Sequence, residues 1–162
     1  MLRMGKMTDY ATVVLASLAQ EPARHRAATE LAERTRLSRP TVSKVLKGLQ
    51  RAGLVISSRG SQGGYRLARD PEQISALEVI RSIDGPIILT HCFTEHDSPA
   101  ECDQSELCPV REPLRKVHEG MLKLLSGITI ADLSSSDMRV PVLPLSSIQP
   151  LSASIRTGNE SR

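Results

Sequence analysis

The three cysteines of this chain, Cys92, Cys102 and Cys108, lie close together in an otherwise polar stretch. The sequence from 91 to 110, HCFTEHDSPAECDQSELCPV, is acidic and broken by two prolines, so it lacks the apolar period of a helix. A stretch of this composition stays disordered unless something ties it down. Thiolates that converge on a metal or an iron–sulfur cluster would do so through coordinate bonds. The cysteines therefore indicate a metal or cluster site.

The same three thiols are compatible with three alternatives. They could be unrelated thiols in a mobile loop. They could form one disulfide with a thiol left over, although an odd count without an evident export signal argues against this. They could also bind zinc with a histidine as the fourth ligand, but they lack the close cysteine pairs of common zinc fingers. A cluster is favoured, and zinc stays open as the alternative.

Length and composition predict one domain with an appendage. The chain has 162 residues, 40% of them hydrophobic and 2% aromatic, which predicts an aliphatic core. No apolar run approaches the roughly 20 residues that span a bilayer. Arg3 and Lys6 before ATVVLASLA imitate a signal peptide, but Asp9 precedes the run and its apolar residues recur at helical spacing. We expect a buried first helix, a cytoplasmic protein and no membrane contact.

Charge is divided unevenly along the chain. Residues 1–69 carry 13 Lys and Arg against 4 Asp and Glu, a net charge of +9. Residues 70–137 carry 5 against 13, a net charge of −8. A basic first half predicts contact with a polyanion, while the acidic second half holds the cysteines.

The first half predicts a helix-turn-helix. A first helix is expected from about Thr8 to Gln20, with Thr8 as its N-cap, and a second from about Ala27 to Arg34. A third is capped by Ser38. Its aliphatic residues share one face, and these are Val42, Val45, Leu46 and Leu49. Its basic residues fall on the opposite face, and these are Lys44, Lys47 and Arg51. Two short helices of this kind are typical of DNA-binding domains.

A β-hairpin is expected directly after the third helix. Strands at about Leu54–Arg59 and Tyr65–Ala68 flank a turn that is rich in glycine. In this position a hairpin is a wing, whose tip can approach a sugar-phosphate backbone. The glycines do not form a nucleotide-binding loop, because the Lys-Ser/Thr pair and the strand–loop–helix context are missing.

The second half predicts two more helices and a tail. Ser75 and Glu78 form a capping box that starts one helix, which Gly85 ends. A long helix from about Pro109 to Ser126 carries an apolar stripe that we expect to pack on a second copy of the chain. From Met138 the sequence is rich in Ser and Pro, which predicts disorder.

The expected fold is therefore mainly α with a small β-hairpin: a winged helix-turn-helix domain plus a long dimerisation helix. We assign residues 1–84 to the DNA-binding domain and 85–109 to the cysteine loop. Residues 110–137 are assigned to the dimerisation helix and 138–162 to the tail.

Four segments together resemble a known family. They are TDYATVVLASLA, LSRPTVSKVLKGLQRAGLVISSRGSQGGYRLAR, DPEQISALEVIRSIDG, and the three cysteines before a long helix. They are similar to the winged-helix iron–sulfur-cluster transcriptional regulators of bacteria, the group that includes IscR and NsrR. The likeness covers about residues 1–137, and CPVR with LSGITIADL looks closest to the regulator of the Suf assembly system.

The resemblance implies a homodimer whose binding to double-stranded DNA depends on a cluster, with 2Fe–2S favoured over 4Fe–4S. Cys92, Cys102 and Cys108 match the family's three thiolate ligands in order, although the first gap is four residues longer. Some members have a histidine ligand where this chain has Arg111, which cannot ligate. Another branch uses the aspartate of a TDY motif, which is matched here by Asp9.

We therefore expect a cluster-sensing repressor of iron–sulfur assembly genes, and not an enzyme. The residues expected to contact DNA are Arg39, Thr41, Ser43, Lys44, Lys47, Arg51, Ser58, Arg59, Gln62 and Tyr65. One alternative is a zinc-stabilised winged-helix regulator that senses no cluster. The other is a redox or electron-transfer protein, which lacks a fourth cysteine and any pairing of nucleophile and base.

Overall fold

The computed structural model of the chain describes residues 4–60, 63–90 and 108–135. Within them, the fold is mainly α-helical with one antiparallel hairpin, as expected from the sequence. The helices are α1 (Lys6–Ala19), α2 (Ala28–Thr35), α3 (Arg39–Arg51), α4 (Ala76–Asp84), α5 (Arg111–Gly127) and α6 (Ile130–Ser134). The strands are β1 (Val55–Ser58) and β2 (Gly64–Leu67), and a 3-10 turn spans Pro71–Gln73. None of the helices in these ranges is long and apolar enough to cross a membrane.

The start of α1 corrects the predicted boundary. The N-cap is Gly5 and not Thr8, which is fully buried within the first turn. The Gly5 N–H donates to Oδ2 of Asp84 at 2.8 Å, so a side chain from the end of α4 caps the helix. The sequence favours Thr8 because hydroxyl residues are common N-caps. The contact with Asp84, 79 residues away, could not be predicted from local sequence.

The helix-turn-helix forms as predicted. Arg36 takes the left-handed conformation between α2 and α3, with φ 56°. Ser38 caps α3 by accepting the Thr41 N–H at 3.4 Å, and Gly53, with φ 69°, follows its end. The four aliphatic residues of its inner face, Val42, Val45, Leu46 and Leu49, are 0% exposed. They join α1, α2 and the hairpin in one core.

The long helix expected from about Pro109 to Ser126 is α5, but the segment after it does not continue that helix. The sequence assigns 110–137 to the dimerisation helix, but α5 ends at Gly127 and the chain then turns back to form α6. The backbone N–H of Ala76 donates to Ile128 O and that of Ile130 to Ile74 O, both at 2.8 Å. Ile130 is fully buried in the core of the DNA-binding domain. The end of α5 is thereby fastened to that domain.

Candidate nucleic-acid interface and cysteine site

The outward face of α3 is polar and exposed. Its basic residues and Ser43 are exposed, while Thr41 is half-buried with its hydroxyl oxygen 2.8 Å from Ser38 Oγ. Because the apolar face of α3 is fixed in the core, its polar face has one orientation relative to the domain. These side chains therefore form one polar surface on the outer face of the helix.

The cations of α3 have no ion-pair partner among the described residues. Within the described ranges, none of the α3 cations has a carboxylate within salt-bridge distance, and these cations are Arg39, Lys44, Lys47 and Arg51. Other arginines are neutralised internally: Arg69 pairs with Glu78 at 2.9 Å, and Arg115 pairs with two glutamates of α5. Some of the unpaired cations in this part of the chain therefore lie on the face that a helix-turn-helix presents to DNA.

The hairpin lies next to α3. β1 and β2 are antiparallel, with Val55 opposite Leu67 and Ser58 opposite Gly64. A Cβ at Gly63 would lie 2.4 Å from the Ser58 carbonyl oxygen, so the turn requires glycine there. Of the expected wing contacts, Ser58 and Arg59 are exposed and Tyr65 is half-buried. Gln62 lies outside the described residues.

Two residues that the sequence does not single out support the hairpin. Gln50 Nε2 in α3 donates to Ser57 Oγ in β1 at 3.0 Å, which joins the helix to the wing. Arg26, before α2, is fully buried and exchanges two backbone hydrogen bonds with Tyr65, at 2.9 and 2.8 Å. Its guanidinium pairs with Glu21 at 2.6 Å and with Glu30. Hydrogen bonds from Arg24 and then Arg26 hold the pKa of Glu21 below its usual value.

Sequence signals for these two residues are weak. Arg26 and Glu30 have the spacing of an ordinary exposed helix pair, and nothing local predicts burial of the arginine. Gln50 is one of several polar residues on the exposed side of α3. Its bond depends on where the hairpin lies.

Of the expected cluster ligands, the structure describes Cys108 and Asp9. Cys108 is a half-buried free thiol just before α5, and its carbonyl accepts the Arg111 N–H at 3.3 Å. Asp9 is exposed in the first turn of α1. Cys92 and Cys102 lie outside the described residues. Within those residues, no three His, Cys, Asp or Glu side chains are grouped to hold a metal.

A helix-turn-helix with an adjoining wing, an outward basic helix and a further long helix defines the class of winged-helix transcriptional regulators. The family described as Rrf2, iron-dependent transcriptional regulator, matches residues 4–136. The chain belongs to this family, and it is a transcriptional regulator and not an enzyme.

Relatives and solved structures agree with this assignment. An HTH-type, rrf2-like regulator of Rhodobacter capsulatus is 32% identical over 130 residues, covering 76% of this chain and 87% of the relative. The regulator NsrR of Shouchella clausii is 28% identical and covers 85% and 93%. CymR, the global cysteine regulator of B. subtilis, superposes with a TM-score of 0.66 at 26% identity, covering 83% and 97%. IscR of T. potens gives 0.61 at 29%, covering 82% and 85%.

Proposed function

We propose that the chain is a cytoplasmic, homodimeric repressor that binds a pseudo-palindromic DNA operator. Its affinity for that operator changes when an iron–sulfur cluster is bound or lost. Its target genes would be those of iron–sulfur cluster assembly. DNA binding is carried by one observation, the unpaired cations on the exposed face of α3. A dimer would set one such helix in each of two major grooves, about one turn apart.

The contacts divide by position along α3. Arg39, Thr41, Ser43 and Lys44 lie in its first turns, where a recognition helix approaches base edges. Lys47 and Arg51 lie further along and are assigned to phosphates. On the wing, Ser58, Arg59, Gln62 and Tyr65 would contact the neighbouring sugar-phosphate backbone.

The apolar side of α5 supports the dimer. Val117 is 58% exposed and Val110, at the N-cap, is 53% exposed. Met121 and Leu125 line an apolar groove between α4 and α5, with Ile88 at its edge. An apolar surface of this kind is stabilised when a second copy covers it.

The proposed cluster ligands are Cys92, Cys102, Cys108 and Asp9. Cys108 fits this role because its thiol is free and lies at the beginning of α5. Asp9 would supply a carboxylate, which binds iron more weakly than thiolate does, and the partner subunit could be its source. A bound cluster would supply a group that responds to oxidants and to iron supply. Ligation would fix residues 92–108 relative to α5 and, through Asp9, to α1.

Relatives support iron chemistry without specifying it. The family is described as iron-dependent, and NsrR and IscR are among the similar proteins. CymR, however, is described as a cysteine regulator. The zinc-stabilised regulator therefore stays the second candidate, because Cys108 is equally suited to zinc.

The deciding experiment is anaerobic purification of the full chain, followed by visible absorption and analysis of iron, sulfide and zinc. We expect a coloured protein with iron and sulfide in equal amounts, and a colourless one after Cys102→Ala. Asp9→Ala should keep the fold but shorten the cluster's lifetime in air and change its spectrum. A colourless wild-type protein with stoichiometric zinc would establish the second candidate.

The control for Asp9→Ala is Asp70→Ala, which removes another exposed carboxylate near the start of a helical segment. It should leave spectrum and lifetime unchanged. Equal behaviour of the two variants would remove Asp9 from the ligand set.

A further inference from the structure

Arg26 lies at the junction of three elements. Its side chain is 0% exposed, which is unusual for an arginine. Its guanidinium pairs with Glu21 after α1 and with Glu30 in the first turn of α2. Its backbone pairs with Tyr65 of the wing in both directions. A Cβ at Gly64 would lie 2.6 Å from the Arg26 carbonyl oxygen, so the wing strand approaches this residue as closely as glycine allows.

Burial of this arginine is not explained by stability alone. Moving a cation out of water is costly, and its two carboxylates compensate for this only in part, because Glu21 is 49% exposed. The Nε–H of Arg26 is buried and has no hydrogen-bond partner in the described part of the chain. Apolar residues of similar volume often replace such an ion pair without loss of stability. The hydrogen bonds of a guanidinium are directional, however, so they fix the neighbouring groups in one arrangement. Apolar contacts do not.

We propose that Arg26 is a positioning residue for DNA binding, which places the wing relative to α3. This inference rests on the proposed DNA-binding function and assigns one role within it. The guanidinium holds the segment before α2 against Glu21 and Glu30, and the backbone of that segment holds β2 at Tyr65. The second support of the hairpin, from Gln50 to Ser57, holds the other strand, β1. Both strands of the wing are therefore held relative to α3.

Arg24 provides a matched control. It pairs with the same two carboxylates, Glu21 at 3.2 Å and Glu30 at 3.5 Å, and lies two residues away. Its side chain is 57% exposed, and its backbone forms no bridge with the wing. Arg24→Met and Arg26→Met thus each remove one positive charge that is paired with Glu21 and Glu30. They differ in burial and in the link to Tyr65.

The probe is a duplex that the wild-type protein enriches from a randomised library, with sonicated genomic DNA as the nonspecific competitor. We expect Arg26→Met to lower affinity for the selected duplex about tenfold, which is within the range for loss of one set of backbone and groove contacts. Hydroxyl-radical protection should be lost at the edges of the footprint, under the wings, and kept at its centre, under α3. Arg24→Met should change affinity less than about twofold, as expected for exposed pairs. Arg26→Lys should restore part of the protection.

The shape of the footprint separates positioning from stability. A residue that only stabilises the fold would lower the folded fraction, and with it the protection at edges and centre alike. If Arg26→Met does not fold, as judged by circular dichroism, Glu21→Gln decides, because it weakens one partner and leaves Arg26 in place. Equal footprints for that variant and the wild type, or for Arg26→Met and Arg24→Met, would overturn the inference. If Lys47→Ala also left affinity unchanged, the DNA-binding face itself would be wrongly assigned.

Discussion

The helices α3 and α5 have similar amphipathic patterns but differ in which of their faces is exposed. In α3, the four aliphatic residues are 0% exposed and the cations have no ion-pair partner within the described ranges. In α5, His118 is the buried residue, Val117 is 58% exposed, and Arg115 is paired with Glu112 and Glu119. The apolar side of α3 is covered by its own domain. In α5, part of the apolar side is exposed and one cation is paired within the helix.

An amphipathic helix can serve two kinds of contact, depending on which of its faces the domain covers. The apolar face of α3 is buried in its own domain. The exposed face of the helix is therefore the basic one, which suits a polyanion. In α5, Glu112 and Glu119 neutralise Arg115 at i, i+3 and i, i+4 spacing, and the exposed apolar surface that includes Val117 suits a second protein chain. Substitutions on the two helices should therefore act on different equilibria.

The largest effect is expected from Leu46→Ala. This side chain is fully buried between α3 and the rest of the core, so its removal should lower the free energy of unfolding by about 3 kcal/mol. The measurement is urea denaturation followed by circular dichroism at low protein concentration. Leu124→Ala on α5, where the side chain is half-buried, should cost under about 1 kcal/mol in the same dilute sample. Similar losses for both would contradict the distinction between the helices.

The sequence pattern could predict the buried face of α3 and the existence of α5. The aliphatic spacing from Val42 to Leu49 predicts a buried face, and that face is buried because α1 and α2 lie within the same short segment of chain. Pattern could not predict which helix covers which surface. Asp84 caps α1 and Arg26 is buried beside Tyr65 through tertiary contacts, which local spacing does not encode.

The helix α6 is absent from the sequence-based prediction although a signal for it exists. Thr129 and Asp132 have the spacing of a capping box, the same signal that correctly predicts α4 from Ser75 and Glu78. The segment follows the long helix and is only five residues long, so it looks like the end of that helix. A short helix carries little apolar period, so capping was the usable signal.

A charge on the exposed side of α5 should break the dimer. Val117→Asp places a carboxylate on the surface that a second copy is proposed to cover, and burial of an unpaired charge is costly. We expect the dimer dissociation constant to rise on the order of 100-fold, about 2.7 kcal/mol. Sedimentation velocity over a concentration series measures it, with circular dichroism to show that the fold is kept.

Val13→Asp is the control for this variant. Val13 is 45% exposed on α1 and lines a pocket with Leu133 and Ser134 of α6, and no residue of α5 lines that pocket. It should leave the dimer intact. Equal dissociation by both variants would show that exposed valines in general, and not the face of α5, control association.

Loss of an α3 cation should have a smaller effect, on DNA affinity alone. Lys47→Ala should weaken specific and nonspecific binding alike, by about 1 kcal/mol, and reduce the salt slope by about 1, because one phosphate contact is lost. Arg39→Ala should weaken binding to the selected duplex more than to nonspecific DNA. Gel-shift titration at several salt concentrations measures both.

Arg115→Ala tests whether a cation that is paired within its own helix contributes to DNA binding. Arg115 is also an exposed cation, but two glutamates neutralise it within α5. Its loss should leave DNA affinity and the salt slope unchanged. If Arg115→Ala weakened DNA binding as much as Lys47→Ala did, internal pairing would not decide which cations serve DNA.

The smallest effect concerns the fastening of α5 to the domain through α6. Asp132 Oδ2 accepts hydrogen bonds from the Thr129 hydroxyl at 2.7 Å and the Thr129 backbone N–H at 2.8 Å. The hydroxyl and then the backbone bond hold the pKa of Asp132 below its usual value. A depressed pKa in the folded protein means that the contribution to stability is present above the ordinary aspartate pKa of about 3.9 and is lost as pH falls through the folded value.

Asp132→Asn should therefore lower the free energy of unfolding at pH 7 by about 0.5 to 1 kcal/mol, the size of an ordinary helix cap. The difference from wild type should shrink as pH falls from about 5 towards 2, because the wild-type carboxylate becomes protonated over that range. Urea denaturation at closely spaced pH values measures this. A difference that stayed constant down to the lowest pH would mean that Asp132 acts through the shape of its side chain. In that case the carboxylate charge would contribute nothing to the hold of α6 on the core, and α5 would be fastened by Ile130 and the two backbone hydrogen bonds alone.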